Sequence, residues 1–255
     1  MRFSLLGLLL LCPLSVMAEQ RWVSLNQCVD ELLMRWAPEK LSAVTYLTKL
    51  DNQQSWQQHN GSLEAILALQ PTRVIATRFS NSTLVSRLRD YTEVTVLEQP
   101  QNWQQYQHWL TQLRELGLEK QVEQHQQQTK QLFEQLKQQP KQVLFVMPNQ
   151  WSWGGDTWAD EIIQRAGADN LAAGLGQGLV GLDLETIWSW QPEQVVMEGF
   201  SRSGDQHNAF ALANQWRHHP LFKQWVSTQQ VTFIDNQTAA CPVVNLADYL
   251  EALKP

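Results

Sequence analysis

Leu63-Glu64-Ala65-Ile66-Leu67-Ala68-Leu69-Gln70-Pro71-Thr72-Arg73-Val74-Ile75 returns 121 residues later as Leu184-Glu185-Thr186-Ile187-Trp188-Ser189-Trp190-Gln191-Pro192-Glu193-Gln194-Val195-Val196. Leu, Glu, Ile, Gln, Pro and Val coincide. Each copy opens with a capping residue, Ser62 or Asp183, and continues through apolar positions at helical spacing to a proline that ends the helix. A short apolar run suited to a buried strand follows. The chain has used one αβ unit twice.

The match extends outward from this unit. At the same offset Trp22-Val23-Ser24-Leu25 lies over Val143-Leu144-Phe145-Val146, two apolar strands that each lead through a loop into a helix. A third pair, Glu93-Val94-Thr95-Val96-Leu97 and Gln230-Val231-Thr232-Phe233-Ile234, is offset by 137, which places an insertion near residues 201–219. Strands alternating with helices predict an α/β fold: two similar lobes, each with a small, mainly parallel sheet. Between them, residues 101–116 and 119–139 read as helices broken near Gly117. The second would be about 30 Å long at 1.5 Å per residue, a long helix joining the lobes. The Gln-rich stretch 124–128 reads as its solvated face. The division predicted is 1–18 leader, 19–100 N-terminal lobe, 101–140 linking helices and 141–255 C-terminal lobe.

The leader reading rests on Arg2, the apolar run from Leu5 to Leu11, and small residues at Val16 and Ala18 that suit a signal peptidase. The run is shorter than the roughly 20 residues of a membrane span, so the mature chain is predicted to be exported and not membrane-inserted. Leu11 before Cys12, where a lipid-anchoring signal wants a small side chain, argues against a lipoprotein. Lys and Arg number 19 against 25 Asp and Glu, a net charge of −6, and loss of Arg2 with the leader leaves −7. No nucleic acid is expected as a partner. Cleavage would also remove Cys12, leaving Cys28 and Cys241 in a compartment that favours disulfides. A bridge between them and two separate, partly buried thiols are both open at this point.

In open α/β sheets, ligands bind outside the carboxyl ends of the strands, and two facing lobes put two such edges around one cleft. A binding protein is therefore expected. The sequence resembles the periplasmic binding proteins that serve ABC importers of iron-siderophores, haem and cobalamin, whose lobes are joined by a single long helix. The resemblance is carried by Trp22-Val23-Ser24-Leu25 leading to Glu31, by the Leu63–Pro71 stretch, by Gly167-Ala168-Asp169-Asn170-Leu171, and by Leu184-Glu185 with Gln191-Pro192. It departs where that family often has Pro-Ser/Ala-x-Thr-Glu (here Gln27-Cys28-Val29-Asp30-Glu31) and a Pro-Gly-Pro-Arg type motif (here Ala240-Cys241-Pro242-Val243). Both departures fall at the presumed cleft and bring one cysteine to each lip, which makes an inter-lobe bridge or a shared ligand contact available.

The resemblance implies a monomer that captures a metal chelate, an iron-siderophore or a cobalamin-like corrinoid, and delivers it to an ABC importer. It implies no cofactor and no catalysis. Glu64 and Glu185 match the two glutamates, one per lobe, that dock on a permease dimer. Strand ends supply the predicted ligand contacts: Gln27, Tyr46, Arg78 and Phe79 from the N-terminal lobe, and Trp151, Trp153, Phe200, Arg202 and Asn236 from the C-terminal lobe. Rings cover the faces of a flat chelate while guanidinium groups bond its oxygens. Trp188 and Trp190 are expected in lobe packing, since their repeat partners are Leu67 and Leu69. No metal site is expected: the six histidines show no ligand spacing, and His218-His219 would diverge. Gly176-Gln177-Gly178-Leu179-Val180-Gly181 fits a dinucleotide fingerprint on paper but follows a helix-like segment, and reads as a flexible loop. A secreted hydrolase is disfavoured by the lack of a Gly-x-Ser-x-Gly elbow or a His-Glu-x-x-His helix. A periplasmic sensor or scavenger without an importer is the remaining alternative.

Overall fold

The two copies of the repeat fold alike, down to an unusual backbone conformation. The computed structural model describes residues 20–50, 54–137, 141–199, 220, 223, 227 and 230–254. In the N-terminal half, β1 (Trp22–Ser24), α1 (Gln27–Trp36), β2 (Leu41–Thr45), β3 (Gln57–His59), α2 (Leu63–Ala68), β4 (Arg73–Thr77), α3 (Ser82–Leu88) and β5 (Glu93–Leu97) form a parallel sheet of order β3-β2-β1-β4-β5 with its helices. Ser62 caps α2 by accepting from the Ala65 N–H at 3.2 Å. At its end Gln70 adopts φ 50°, a left-handed conformation that turns the chain out of the helix ahead of Pro71.

In the C-terminal half, β6 (Gln142–Val146), β7 (Trp151–Trp153), α6 (Trp158–Arg165), β8 (Asp169–Asn170), β9 (Leu179–Gly181), α7 (Leu184–Trp190), β10 (Gln194–Glu198), β11 (Gln230–Ile234), α8 (Asn236–Ala240) and α9 (Leu246–Ala252) follow. Asp183 caps α7 through the Thr186 N–H at 2.7 Å, and Gln191 repeats the left-handed turn with φ 47° before Pro192. The parallel sheet has order β11-β10-β6-β8. Its trio β6-β10-β11 reproduces β1-β4-β5, so all three sequence pairs occupy equivalent strands.

Alternate strand residues divide between two faces. On the outer faces, Val23 and Val74 pack against Leu63, Ile66 and Leu88, while Leu144, Val146, Val195 and Met197 pack against Leu182 and Ile187. The inner faces do not close separately. Val44, Ile75 and Leu97 of one sheet and Val143, Phe145 and Val196 of the other belong to one continuous apolar core. It runs through α4 (Trp103–Glu115) and α5 (Glu119–Leu136) by way of Trp109, Leu110, Leu113, Leu132, Phe133 and Leu136. Gly117, at φ 72°, ends α4 in a Schellman turn, with Leu118 N–H bonding Leu113 C=O at 3.1 Å and Gly117 N–H bonding Arg114 C=O at 2.8 Å. The break near Gly117 thus divides the connection as the sequence predicts.

The Gln-rich face of α5 is mostly exposed, but His125 within it is buried beside Trp36, ring centroids 5.2 Å apart, and its Nε2 has no partner. Burial lowers its pKa to about 4. The unfolded chain takes up this proton near pH 6.5 and the folded chain only near 4, so stability falls as pH drops through that window. At about 1.4 kcal/mol per pKa unit the loss is on the order of 3 kcal/mol. His125→Phe should abolish this component, and urea titrations of both proteins at pH 7 and pH 4.5 measure it. Equal acid sensitivity of the two proteins would refute the assignment.

Candidate functional site

Because both sheets are parallel, the carboxyl ends of their strands form two edges, and the chain lines these with side chains that strand packing does not use. Tyr46 follows β2 and Phe79 follows β4, both about two-thirds exposed, and Trp151 opens β7 at 41 % exposure. Buried hydrogen bonds hold the loop that carries Tyr46 in place. Asp30 of α1, fully buried, accepts from the Thr45 N–H and from the Thr45 and Thr48 hydroxyls, which ties α1 to the loop carrying Tyr46 and Leu47. Burial raises the Asp30 pKa although these bonds work against it. His59, at the end of β3, takes the Gly61 N–H on Nδ1 at 3.1 Å, so its Nε2–H donates to the Ser24 carbonyl at 2.8 Å.

On the other side, β7 pairs antiparallel with β9, register Trp151↔Gly181 and Trp153↔Leu179. The glycine-rich segment expected as a flexible loop is therefore partly a strand. It is fastened further by Gly154 N–H to Gly178 C=O at 2.7 Å and Gly155 N–H to Gly176 C=O at 2.8 Å. A Cβ on Gly154 would stand 2.3 Å from the Gly176 carbonyl oxygen, so the close approach requires glycine there. Asn170 pins the strand pair to α6, its amide donating to Trp153 C=O and to buried Asp160, both at 3.0 Å.

Between the two edges lies a cavity of about 300 Å³. Phe79, Gln99, Pro100 and Gln101 line it from the N-terminal lobe; Trp153, Asp156, Thr157, Trp158, Gly178, Glu198, Pro242, Val243 and Tyr249 line it from the C-terminal side. At its wall Glu198, the last residue of β10, is 4 % exposed. Its Oε2 accepts from the Trp153 indole N–H at 2.6 Å and its Oε1 from the Tyr249 hydroxyl. Burial pushes its pKa up to about 6, the two hydrogen bonds notwithstanding.

The predicted contacts divide around this cavity. Phe79 and Trp153 line it. Arg78 is exposed beside it, its guanidinium 5.0 Å from the Phe79 ring centre. Tyr46 and Trp151 stand exposed at the same strand edges. Gln27 and Asn236 meet each other instead in a second cavity of about 310 Å³ with Glu31, Arg35 and Lys49. Phe200 and Arg202 lie outside the described residues. Trp158 lines the cavity from within the core: it is 8 % exposed and stacks on Trp103 at 6.3 Å. Trp188, expected in lobe packing, is instead exposed, and only Trp190 of that pair packs against the C-terminal core. Glu198, Tyr249, Asp156 and Asp30 were missed by sequence reading. A glutamate ending an apolar strand is the signal that Glu198 left.

Cys28, in the first turn of α1, and Cys241, after α8, come together with their sulfurs in contact and Cα atoms 5.2 Å apart, within the span that a disulfide bridges. Cys241 is buried and Cys28 half-buried, so the contact joins the two halves. Glu64 and Glu185 are exposed in the first turns of α2 and α7, and neither takes part in an ion pair among the described residues. Helices that feed parallel strands start at the carboxyl edge of the sheet, so both glutamates stand on the cleft side of their lobes. Among the described residues no cluster of three His, Cys, Asp or Glu is placed to hold a metal ion, and no helix is long and apolar enough to cross a membrane.

Two parallel sheets on one core, with exposed rings at facing edges, define a two-lobed ligand-binding protein. The chain belongs to the periplasmic binding protein family, whose model matches residues 23–215. Members of this family bind substrates and are not enzymes. Similar solved structures include the periplasmic haem-binding protein HutB of Vibrio cholerae, 22% identical with a TM-score of 0.66, covering 93% of this chain and 100% of that one. The periplasmic vitamin B12-binding protein BtuF of Vibrio cholerae is 17% identical with a TM-score of 0.63, covering 92% and 94%. A possible iron-binding periplasmic solute-binding protein of Staphylococcus epidermidis is 15% identical with a TM-score of 0.67, covering 92% and 96%. No curated protein matches the chain.

Proposed function

We propose that the chain is a periplasmic solute-binding protein that captures a metal chelate, an iron-siderophore or a cobalamin-like corrinoid, between its lobes and delivers it to an ABC importer. The observation that carries this reading is the set of exposed rings, Tyr46, Phe79 and Trp151, at the facing carboxyl edges of two parallel sheets. Exposed aromatic side chains suit a flat, partly apolar ligand, and they order few torsions when it binds. In this reading residues 1–18 are removed on export, residues 19–100 and 141–255 act as lobes joined by 101–140, Cys28 and Cys241 are bridged, and the protein works as a monomer. Glu64 and Glu185 meet the permease.

The test is a titration of the mature protein with ferric siderophores, cobalamin and haem, followed by tryptophan fluorescence. A chelate that quenches at submicromolar concentration is the expected result, and silence across the panel would sink the proposal. Tyr46→Ala and Phe79→Ala should each weaken that ligand tenfold or more, the range of a stripped aromatic anchor. Arg78→Ala should do the same if the exposed guanidinium bonds ligand oxygens.

A further inference from the structure

The fold does not account for the charge on Glu198. A glutamine there would serve both neighbours, its carbonyl accepting from the Trp153 N–H and its amide donating to the Tyr249 oxygen, at no cost for burying an ion. The carboxylate has no ion-pair partner among the described residues. Among the described residues each of its oxygens takes one hydrogen bond and keeps one acceptor position. A buried carboxylate with unused acceptors on a cavity wall can take a donor from a ligand in that cavity.

The surroundings narrow that donor. The described lining of the cavity holds a second acid, Asp156, together with Gln99, Gln101 and Thr157, and no Lys, Arg or His. Arg78 is exposed over Phe79 on the opposite lobe. A ligand that turned carboxylates or catecholate oxygens toward this wall would meet like charge at short range in a partly dried cleft, where the repulsion is strongest. One that turned N–H groups toward it would complete the Glu198 hydrogen bonds with charge-assisted ones.

We infer that Glu198 reads the ligand: it selects chelates whose periphery carries amide or ammonium N–H donors and rejects those that present carboxylates or other anionic oxygens to the C-terminal wall. This rests on the reading of the cleft as a chelate site. The inter-lobe wall thereby sets specificity by charge, while the exposed rings supply affinity for any flat ligand.

Four probes test it against mature wild-type protein and Glu198→Gln: vitamin B12, with amides and no carboxylate; ferrioxamine B, with a free ammonium; haemin, with two propionates; and a ferric tris-catecholate, with three negative charges. Wild type should bind vitamin B12 or ferrioxamine B at least tenfold more tightly than haemin and the tris-catecholate. Glu198→Gln should lose tenfold or more of that affinity with an unchanged or higher melting temperature. Tightest binding of haemin or the tris-catecholate by wild type would overturn the inference while leaving the chelate reading intact, and this ranking does not depend on the variant. Full affinity in a folded Glu198→Gln protein would overturn it as well. No binding of any probe would instead remove the proposed function, and the inference with it.

Discussion

Glu64→Ala combined with Glu185→Ala is expected to abolish chelate uptake in cells while leaving the affinity of the purified protein within about twofold of wild type. The two acids occupy the same position of the two repeats, in the first turn of α2 and of α7, exposed to solvent and free of ion pairs among the described residues. A pair of like groups on two similar lobes suits a permease with two-fold symmetry, and exposed charges act mainly on encounter and orientation. The competing account is that acids simply favour a helix's positive end, an effect worth about 0.3–1 kcal/mol each. That loss is too small to unfold the protein, and the caps Ser62 and Asp183 remain. Normal expression with absent uptake separates the accounts, since a purely helical role leaves uptake normal. Each single variant should fall between. Uptake equal to wild type in the double variant would end the docking proposal and favour a sensor or scavenger.

Replacing Cys28 and Cys241 with alanine should cause a large loss of stability from two substitutions that lie outside the strands. The two positions are 213 residues apart, so a bond between them closes most of the chain into one loop. In the chain-entropy picture a loop of that length contributes about 5 kcal/mol, and natural bridges typically contribute about 2–5 kcal/mol when measured. For a protein of this size that lowers the melting temperature by on the order of 10 °C. The contact also seats Pro242 and Val243 beside Leu97 and Trp109, so its loss frees the segment that closes the cleft floor. Wild type melted in reductant should approach the variant. A wild-type melting temperature indifferent to reductant and equal to that of the double variant would mean that the sulfurs are not bonded.

The repeat was legible because everything that builds it is local: a capping side chain, two helical turns, a proline and a short apolar strand. Hence all three strand pairs, the break at Gly117 and the small, mainly parallel sheets follow from the sequence. The antiparallel β7–β9 pair was not legible, since its strands are separated by α6 and β8 and its second strand lies in a glycine-rich run without a strand-like alternation. It exists because Gly154 lets two backbones approach, which is a tertiary fact. The site divides along the same line. Phe79 and Trp153 could be placed from strand ends alone. Glu198 could not, because the sequence shows a charge at a strand end, where exposure is the ordinary expectation, and only the fold brings Trp153 and Tyr249 over it. Trp188 misled in the opposite direction: its repeat partner Leu67 is partly buried, yet the larger ring at the equivalent place faces solvent.

The apolar core that passes unbroken from one sheet through α4 and α5 into the other has a mechanical consequence. Jaws that swing on a flexible strap can open widely at almost no cost, but here a wide swing would pull packed Leu, Phe and Trp side chains apart and wet them. At about 25 cal/mol for each Å² of apolar surface exposed, even a few hundred Å² would consume much of a typical domain's stability. The cleft is therefore a near-rigid socket, shaped before a ligand arrives, and in the proposed function the work of unloading it would fall on the importer.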